Sequence, residues 1–168
     1  MKTRVMHLIG RLPGRLLQLF WTKGASTPFV VRLIGRLTGR LHIRLYRTTR
    51  GRIGGRFLGG PVVLLTVTGR KSGQKRTTPL LYLRDGNDIV VVASSGGLRL
   101  PEWWRNLQAD PLAEVEVGDR RVQVCAEEAS AQERERLWPL LNRMYAGYEG
   151  YQRKAVWQIP VVKLHPQG

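Results

Sequence analysis

Beyond residue 60 the sequence breaks into short apolar runs, each closed by a turn signal within about a dozen residues, a rhythm that suits strands rather than long helices. Pro61 to Thr68 is rich in Val, Leu and Thr, Gly69 to Arg76 is polar and turn-like, and Pro79 to Leu83 is apolar again. Asp85-Gly86 is a strong turn ahead of Ile89 to Ala93. Ala113 to Val117 alternates apolar and acidic residues before the Gly118-Asp119 turn and the run Val122 to Ala126, which predicts two strands with one wet face. Ile159 to Leu164 reads as a last strand. Pro101 to Ala109 suits a short helix with proline in its first turn, and Ser130 with Glu133 forms a capping box for a helix through about Met144. About six antiparallel strands with few helices and no βαβ alternation predict a mainly β (α+β) domain, a small barrel with flanking helices, over residues 59–168.

Residues 1–58 have another character. The first 84 residues hold 18 of the 28 Lys and Arg and no Asp or Glu, since the first acid is Asp85. The formal net charge of +16 calls for an anionic partner: nucleic acid, anionic lipid or a phosphorylated ligand. Two helical segments separated near Gly24 to Pro28 are expected. In the second, Arg32, Arg36, Arg40 and Arg44 recur every four residues beside Val30, Val31, Leu33, Ile34, Leu37, Leu41 and Ile43. Such a basic amphipathic extension can lie in the headgroup region of an anionic membrane, or cover its own domain. Gly35 and Gly39 each weaken an isolated helix by about 1 kcal/mol relative to Ala, so a surface is expected to order it.

No uninterrupted apolar stretch approaches the roughly 20 residues of a bilayer span, and Arg11 and Arg15 interrupt what would be a signal-peptide core. The expected location is the cytoplasm with peripheral membrane association through residues 1–45; an Arg-rich mitochondrial presequence has the same composition. Nucleic-acid binding is disfavoured, because no helix-turn-helix, RNP or zinc-finger pattern accompanies the charge. Cys125 is the single cysteine and sits in an alternating run that suits packing, while His7, His42 and His165 lack ligand spacing. No metal site is expected.

The stretch with most chemical content is Thr66 to Pro79, where four cations surround two glycines between two predicted strands. A turn of this kind can offer backbone N–H groups and cationic side chains to a phosphate. It lacks the GxxxxGK[ST] order of a P-loop, and a solvated basic hairpin is the alternative reading. A second glycine turn, Ser94 to Gly97, follows the next strand. Trp103 and Trp104 adjoin on one short helix and cannot both point into the same core, which leaves one free to line a groove, to stack on a ring or to pack at the surface against the N-terminal segment. Tyr145, Tyr148 and Tyr151, spaced by three at the end of the last helix, could surround a planar substrate or form core.

Four blocks taken together, TVTGRKSGQKRTTPL at 66–80, ASSGG at 93–97, PEWWRNLQADP at 101–111 and MYAGYEGYQ at 144–152, closely resemble the deazaflavin-dependent nitroreductases, also called the coenzyme F420-dependent quinone reductases. The likeness runs from about His42 to Pro166. It implies a split β-barrel that binds reduced 8-hydroxy-5-deazaflavin coenzyme and passes hydride to a menaquinone-like quinone or a nitroaromatic acceptor. On the matching positions, Arg70, Lys71, Ser72 and Arg76 would hold the coenzyme's phosphate and acidic tail, and Thr77, Thr78, Pro79, Leu80 and Leu81 would run beside it. Val92, Ala93, Ser94 and Ser95 would form the opposite wall, and Glu102, Trp103, Trp104, Arg105 and Asn106 would close over the ring. Tyr148 would reach the deazaflavin, with Tyr145 and Tyr151 lining the acceptor pocket and Ser94 or a tyrosine hydroxyl serving the reduced carbonyl.

Such a coenzyme carries the hydride itself, which agrees with a sequence that has neither catalytic triad nor metal cluster. Ser95 stands where the family commonly has lysine, and Trp104 where it often has tyrosine. An FMN-binding split barrel and a non-enzymatic nucleic-acid or lipid-binding protein are the alternatives, and a homodimer paired through sheet faces is compatible with the strand pattern.

Overall fold

The computed structural model describes residues 39–167, so the first helical segment, with Arg32 and Arg36 of the second, lies outside the described residues. Helix α1 is described from residue 39 to residue 48. The strands are β1 (Arg56–Phe57), β2 (Gly60–Thr68), β3 (Lys75–Asp85), β4 (Asp88–Val92), β5 (Leu112–Val117), β6 (Arg120–Glu128) and β7 (Val161–Pro166). Helix α2 (Glu102–Ala109) separates β4 from β5, and α3 (Ala131–Met144) and α4 (Gly147–Lys154) separate β6 from β7.

Every strand pairing is antiparallel. The order β2-β3-β4-β7-β6-β5, with β5 paired back onto β2, closes six strands into a barrel, and the short β1 extends the edge of β2. The expected barrel is therefore present. Closure leaves no free edge among its six strands, so the ladder is satisfied internally all the way round.

The interior core holds Val63, Leu65 and Val67 from β2, facing Tyr82, Val91, Val115, Val124 and Leu164 of the other strands. Strand β2 is apolar at consecutive positions because its other face is also covered: Val62 and Leu64 pack with Tyr46 and Ile43 of α1. On the outside of β4 and β7, Val90, Val92 and Val161 pack with Leu137 and Leu141 of α3 and Tyr148 of α4.

Three boundaries differ from the sequence reading. Strand β3 begins at Lys75 rather than Pro79, since Lys75 to Thr78 pair with Thr68 to Leu65 of β2 and ladder bonds do not require apolar side chains. The last strand starts at Val161, because Ile159 is drawn into the outer cluster. The tyrosine triplet does not end one helix: α3 stops at Met144, Tyr145 is extended (φ −146°, ψ 99°), and Tyr148 and Tyr151 sit on α4.

Ser130 caps α3 as its spacing requires, accepting from the Glu133 N–H while Glu133 accepts from the Ser130 N–H. Helix α1 is fastened by Tyr46, 1% exposed, and by Arg47, which lies against the Glu116 carboxylate that also takes Arg121. Burial pushes the Glu116 carboxyl up, but the hydrogen bonds and charges of Arg47 and Arg121 outweigh that and hold it below its ordinary range.

Candidate functional site

The basic turn between β2 and β3 is built on Gly69, whose N–H donates to the Gln74 carbonyl, and on Gly73 at φ 66°. A Cβ on Gly69 would come within 3.0 Å of the Ser72 hydroxyl and 3.2 Å of the Gln74 carbonyl, so a larger residue there would push the loop open by a few tenths of an ångström. Lys71, Ser72 and Arg76 are exposed along it. Arg70 is different. Its guanidinium donates to Glu102 Oε2 at 2.8 Å and Asn106 Oδ1 at 2.9 Å, and its backbone N–H reaches the same Asn106 oxygen at 3.2 Å. The Arg70 hydrogen bond holds the Glu102 carboxyl below its ordinary value. Asn106 is buried, so the turn is clasped to α2 by a side chain that is itself fixed. The sequence reading gave Arg70 to the ligand alone; here it first ties two elements together.

Helix α2 lies over one end of the barrel with both tryptophans directed into protein. Trp103 and Trp104 are 7% and 5% exposed, belong to the same interior cluster, and meet edge to face at 6.3 Å. The expectation that the two could not both point into one core is corrected: a helix set across a barrel mouth meets apolar side chains over more than one of its faces. Trp104 Nε1 is buried with no hydrogen-bond partner among the described residues. Glu102 and Arg105 stay exposed and pair with each other at 3.3 Å.

Strand alternation divides the two predicted walls. On β3, Leu80 packs against the interior core while Leu81 packs outside beside Tyr46 and Val62. Thr77 joins its hydroxyl to that of Thr66 across the β2–β3 pair at 2.8 Å, and Thr78 and Pro79 continue the ladder opposite Leu65 and Leu64. At the end of β4, Ala93 faces the interior and Val92 the outer cluster that contains Tyr148. Only alternate residues of each run therefore share a face.

Ser94, 8% exposed, leads into a tight turn over Ser95–Gly97 in which Ser95, Gly96 and Gly97 have φ of 43°, 70° and 77°. A Cβ on Gly97 would stand 2.2 Å from the Tyr151 carbonyl oxygen. That contact requires glycine and presses the turn onto α4, which brings the Ser94 turn and the tyrosines together.

The tyrosines form one cluster. The Tyr145 and Tyr148 rings meet at 5.1 Å and nearly at right angles, Tyr151 lies 5.9 Å and 6.3 Å from the two, and the Tyr145 and Tyr151 hydroxyls share a 2.8 Å hydrogen bond. Tyr148 is 5% exposed; burial, then the neighbouring Tyr145 and Tyr151, push its phenol well above the usual range. It is therefore a protonated phenol at neutral pH and not a phenolate. The hydrogen bond shared with Tyr145 raises the Tyr151 phenol as well.

Residues outside the predicted set position this cluster. Gln152 accepts from the Ile159 N–H at 2.9 Å and from Arg134 at 3.1 Å, and donates to the Trp157 carbonyl at 2.8 Å. Arg134 also donates to the Ile159 carbonyl and lies 4.2 Å over the Trp138 ring. Arg134 and Gln152 are 18 residues apart in different helices, and neither carries a local signal that joins it to Ile159.

Among the described residues no cluster of His, Cys, Asp and Glu could hold a metal ion, and no helix is long and apolar enough to cross a membrane.

Comparison with known proteins places this geometry. The model of the F420H(2)-dependent quinone reductase family matches residues 38–166. An F420H(2)-dependent quinone reductase of Mycobacterium tuberculosis is 45% identical over 130 residues, covering 74% of this chain and 87% of that protein. Among solved structures, an F420-H2 dependent reductase superposes with a TM-score of 0.59 at 38% identity over 62% of this chain and 94% of its own. A second, described as a domain-swapped dimer, gives a TM-score of 0.60 at 34% identity, covering 84% of this chain and all of its own. The chain belongs to the F420H(2)-dependent quinone reductase family.

Proposed function

We propose that this protein is an oxidoreductase that binds reduced coenzyme F420 beside the clasped basic turn and delivers its hydride to a quinone, with nitroaromatics as further acceptors. The observation that carries the reading is the pairing of an exposed cationic turn, tied to α2 through Arg70, Glu102 and Asn106, with a second turn pressed onto a buried tyrosine cluster. The residues fit an anionic, ring-bearing coenzyme. Lys71, Ser72 and Arg76 present charge and a hydroxyl for a phosphate and acidic tail, and the buried Trp104 Nε1 is a donor without a protein acceptor among the described residues.

The coenzyme supplies the two-electron hydride chemistry, and the protein supplies orientation and a proton. Tyr148, held neutral by burial, is the group to donate to the developing quinol oxygen, and the Tyr145–Tyr151 hydroxyl pair orders the neighbouring polar edge. Ser94 is the second candidate donor. Ser95, where the family commonly has lysine, leaves the anionic tail to Lys71 and Arg76.

Trp fluorescence during separate titrations with F420 and FMN tests the cofactor, followed by oxidation of the reduced coenzyme with a menaquinone analogue. Saturable binding of F420 and quinone-dependent oxidation are expected, with turnover in Tyr148→Phe reduced at least tenfold and coenzyme affinity nearly unchanged. Binding of FMN alone, or no binding of either, would overturn the assignment. An unchanged rate in Tyr148→Phe would remove its hydroxyl from catalysis.

The membrane surface belongs to the same proposal. Leu41, Ile53, Phe57 and Leu58 are each more than half exposed, next to exposed Arg40, Arg44, Arg52 and Arg56, and the basic extension of residues 1–58 precedes and includes them. A greasy patch ringed by arginine suits an anionic bilayer carrying a lipid-soluble acceptor. Phe57→Ser with Leu58→Ser should weaken sedimentation with phosphatidylglycerol vesicles several-fold without changing turnover on a water-soluble quinone; undiminished sedimentation would exclude this patch. A homodimer remains part of the proposal, supported by the dimeric relative.

A further inference from the structure

The register of the barrel carries an observation independent of the family reading. Side chains alternate inward and outward along each strand, and Tyr82 of β3 and Val124 of β6 point into the interior core. Two residues on from Tyr82 is Arg84, and counting back from Val124 by twos gives Val122 and then Arg120. Two arginines therefore occupy inward register positions at one end of the barrel.

That end is where the β3–β4 and β5–β6 hairpins turn. A cavity of about 140 Å³ opens there, walled by Ile89, Val115, Val117 and Val122, with Arg84 and Arg120 among its lining. Ile89 and Val115 are 4% and 2% exposed, so its floor is the barrel core itself. Small six-stranded interiors are ordinarily filled by side chains, and an unfilled layer forfeits dispersion contacts along its walls.

Charge at the mouth is equally unsettled. Neither Arg84 nor Arg120 has an acidic partner among the described residues. The nearby acids are engaged elsewhere: Asp85 binds Arg136, and Asp88 binds His165 and Lys163 on the outer face. Asp119, in the β5–β6 turn, makes no ion pair with either arginine. Arg84 and Arg120 are both exposed, and as part of the lining of one apolar cavity their guanidinium groups bring forked donors to its mouth.

We propose that this mouth is a second small-molecule site, for a carboxylate carrying a compact apolar body. The carboxylate would take the donors of Arg84 and Arg120, and the apolar body would complete the missing core layer above Ile89 and Val115. The size agrees with this: an apolar cavity of about 150 Å³ holds one benzene ring, so benzoate is a probe of matching volume and charge. The site is not the coenzyme's. From Arg76 in the basic turn to Arg84 is eight residues along β3, roughly 26 Å at about 3.3 Å each, so the two lie at opposite ends of the barrel.

The test is a titration of the full chain, labelled at Ile and Val methyl groups, with benzoate and with the neutral analogue benzyl alcohol. Saturable shifts at Ile89, Val115, Val117 and Val122 are expected with benzoate, and at least tenfold weaker binding with benzyl alcohol. The Arg84→Gln/Arg120→Gln double variant should lose the same tenfold for benzoate, and Val117→Phe, which fills the cavity and keeps both arginines, should abolish the shifts. Shifts confined to the basic turn or the basic extension would overturn the proposal. So would equal binding of the neutral analogue, or a double variant that binds benzoate like the parent. The wild-type localisation needs no variant, so a variant that fails to fold leaves the proposal open to refutation.

Discussion

Tyr46→Phe isolates the bond that fastens α1 to the barrel. The ring is 1% exposed and stays in place; only the hydroxyl is lost. That hydroxyl donates towards the carbonyls of Val62 at 3.1 Å and Glu116 at 3.2 Å, and accepts from the Gly118 N–H at 2.9 Å. One proton serves both carbonyls, so the loss amounts to about two hydrogen bonds, each worth a net 0.5–1.5 kcal/mol, plus part of the cost of leaving the Gly118 N–H short of an acceptor. The sum is about 2 kcal/mol. With a urea dependence of about 2 kcal/mol per molar, the unfolding midpoint should fall by roughly 1 M with an unchanged slope. Tyr82→Phe is the control, since Tyr82 is also buried and its hydroxyl has no partner among the described residues. It should cost under about 0.5 kcal/mol, and Gly118 amide exchange should accelerate only in Tyr46→Phe. A loss in Tyr46→Phe below about 0.5 kcal/mol, or equal to that of the control, would refute the argument that this hydroxyl carries the junction.

Two further perturbations separate binding from folding. Arg76 is exposed and has no carboxylate partner among the described residues, whereas Arg70 is held by Glu102 and Asn106. Arg76→Glu should reduce F420 affinity at least tenfold at an unchanged urea midpoint, and Arg70→Glu should lower affinity and midpoint together; identical behaviour of the two in paired titrations would contradict the clasp. In acid, Glu133 matters: the hydrogen bond from Lys163, then those with Ser130, hold its carboxyl at about 2, against an ordinary 4.5. A folded value below the unfolded one means the contribution is complete above about pH 5 and disappears as pH falls towards 2. Glu133→Gln should therefore flatten the fall in urea midpoint across that window, and an unaltered pH profile would sink the assignment.

Much of the architecture could be read locally because its signals are local. The Asp85-Gly86 and Gly118-Asp119 turns, the Ser130–Glu133 capping box and the alternating runs on either side each follow from a few adjacent residues, and their order already points to an antiparallel barrel. The tyrosine triplet misled because a spacing of three is the same in one helix and across a break. Extended backbone at Tyr145 moves its partners onto a second helix, where Tyr148 packs with Val90 and Val92 of β4 and the Tyr145 ring lies where a Cβ on Gly147 would stand. Trp103 and Trp104 misled for a related reason, since a helix wheel knows nothing of a barrel mouth that receives both rings.

Sequence alone determined the strand-rich class, the acid-free basic front and the four blocks that mark the family, all of which are properties of neighbouring residues. Tertiary structure decided what distant residues do for one another. Arg70 became a clasp because Asn106, 36 positions on, lies beside it, and Gly97 is required because the Tyr151 carbonyl stands where a Cβ would go. Arg84 and Arg120 turned from ordinary surface charges into the lining of one cavity. Closing a sheet into a barrel sets inward register positions from separate hairpins around a common axis, and no local pattern encodes which of them will meet.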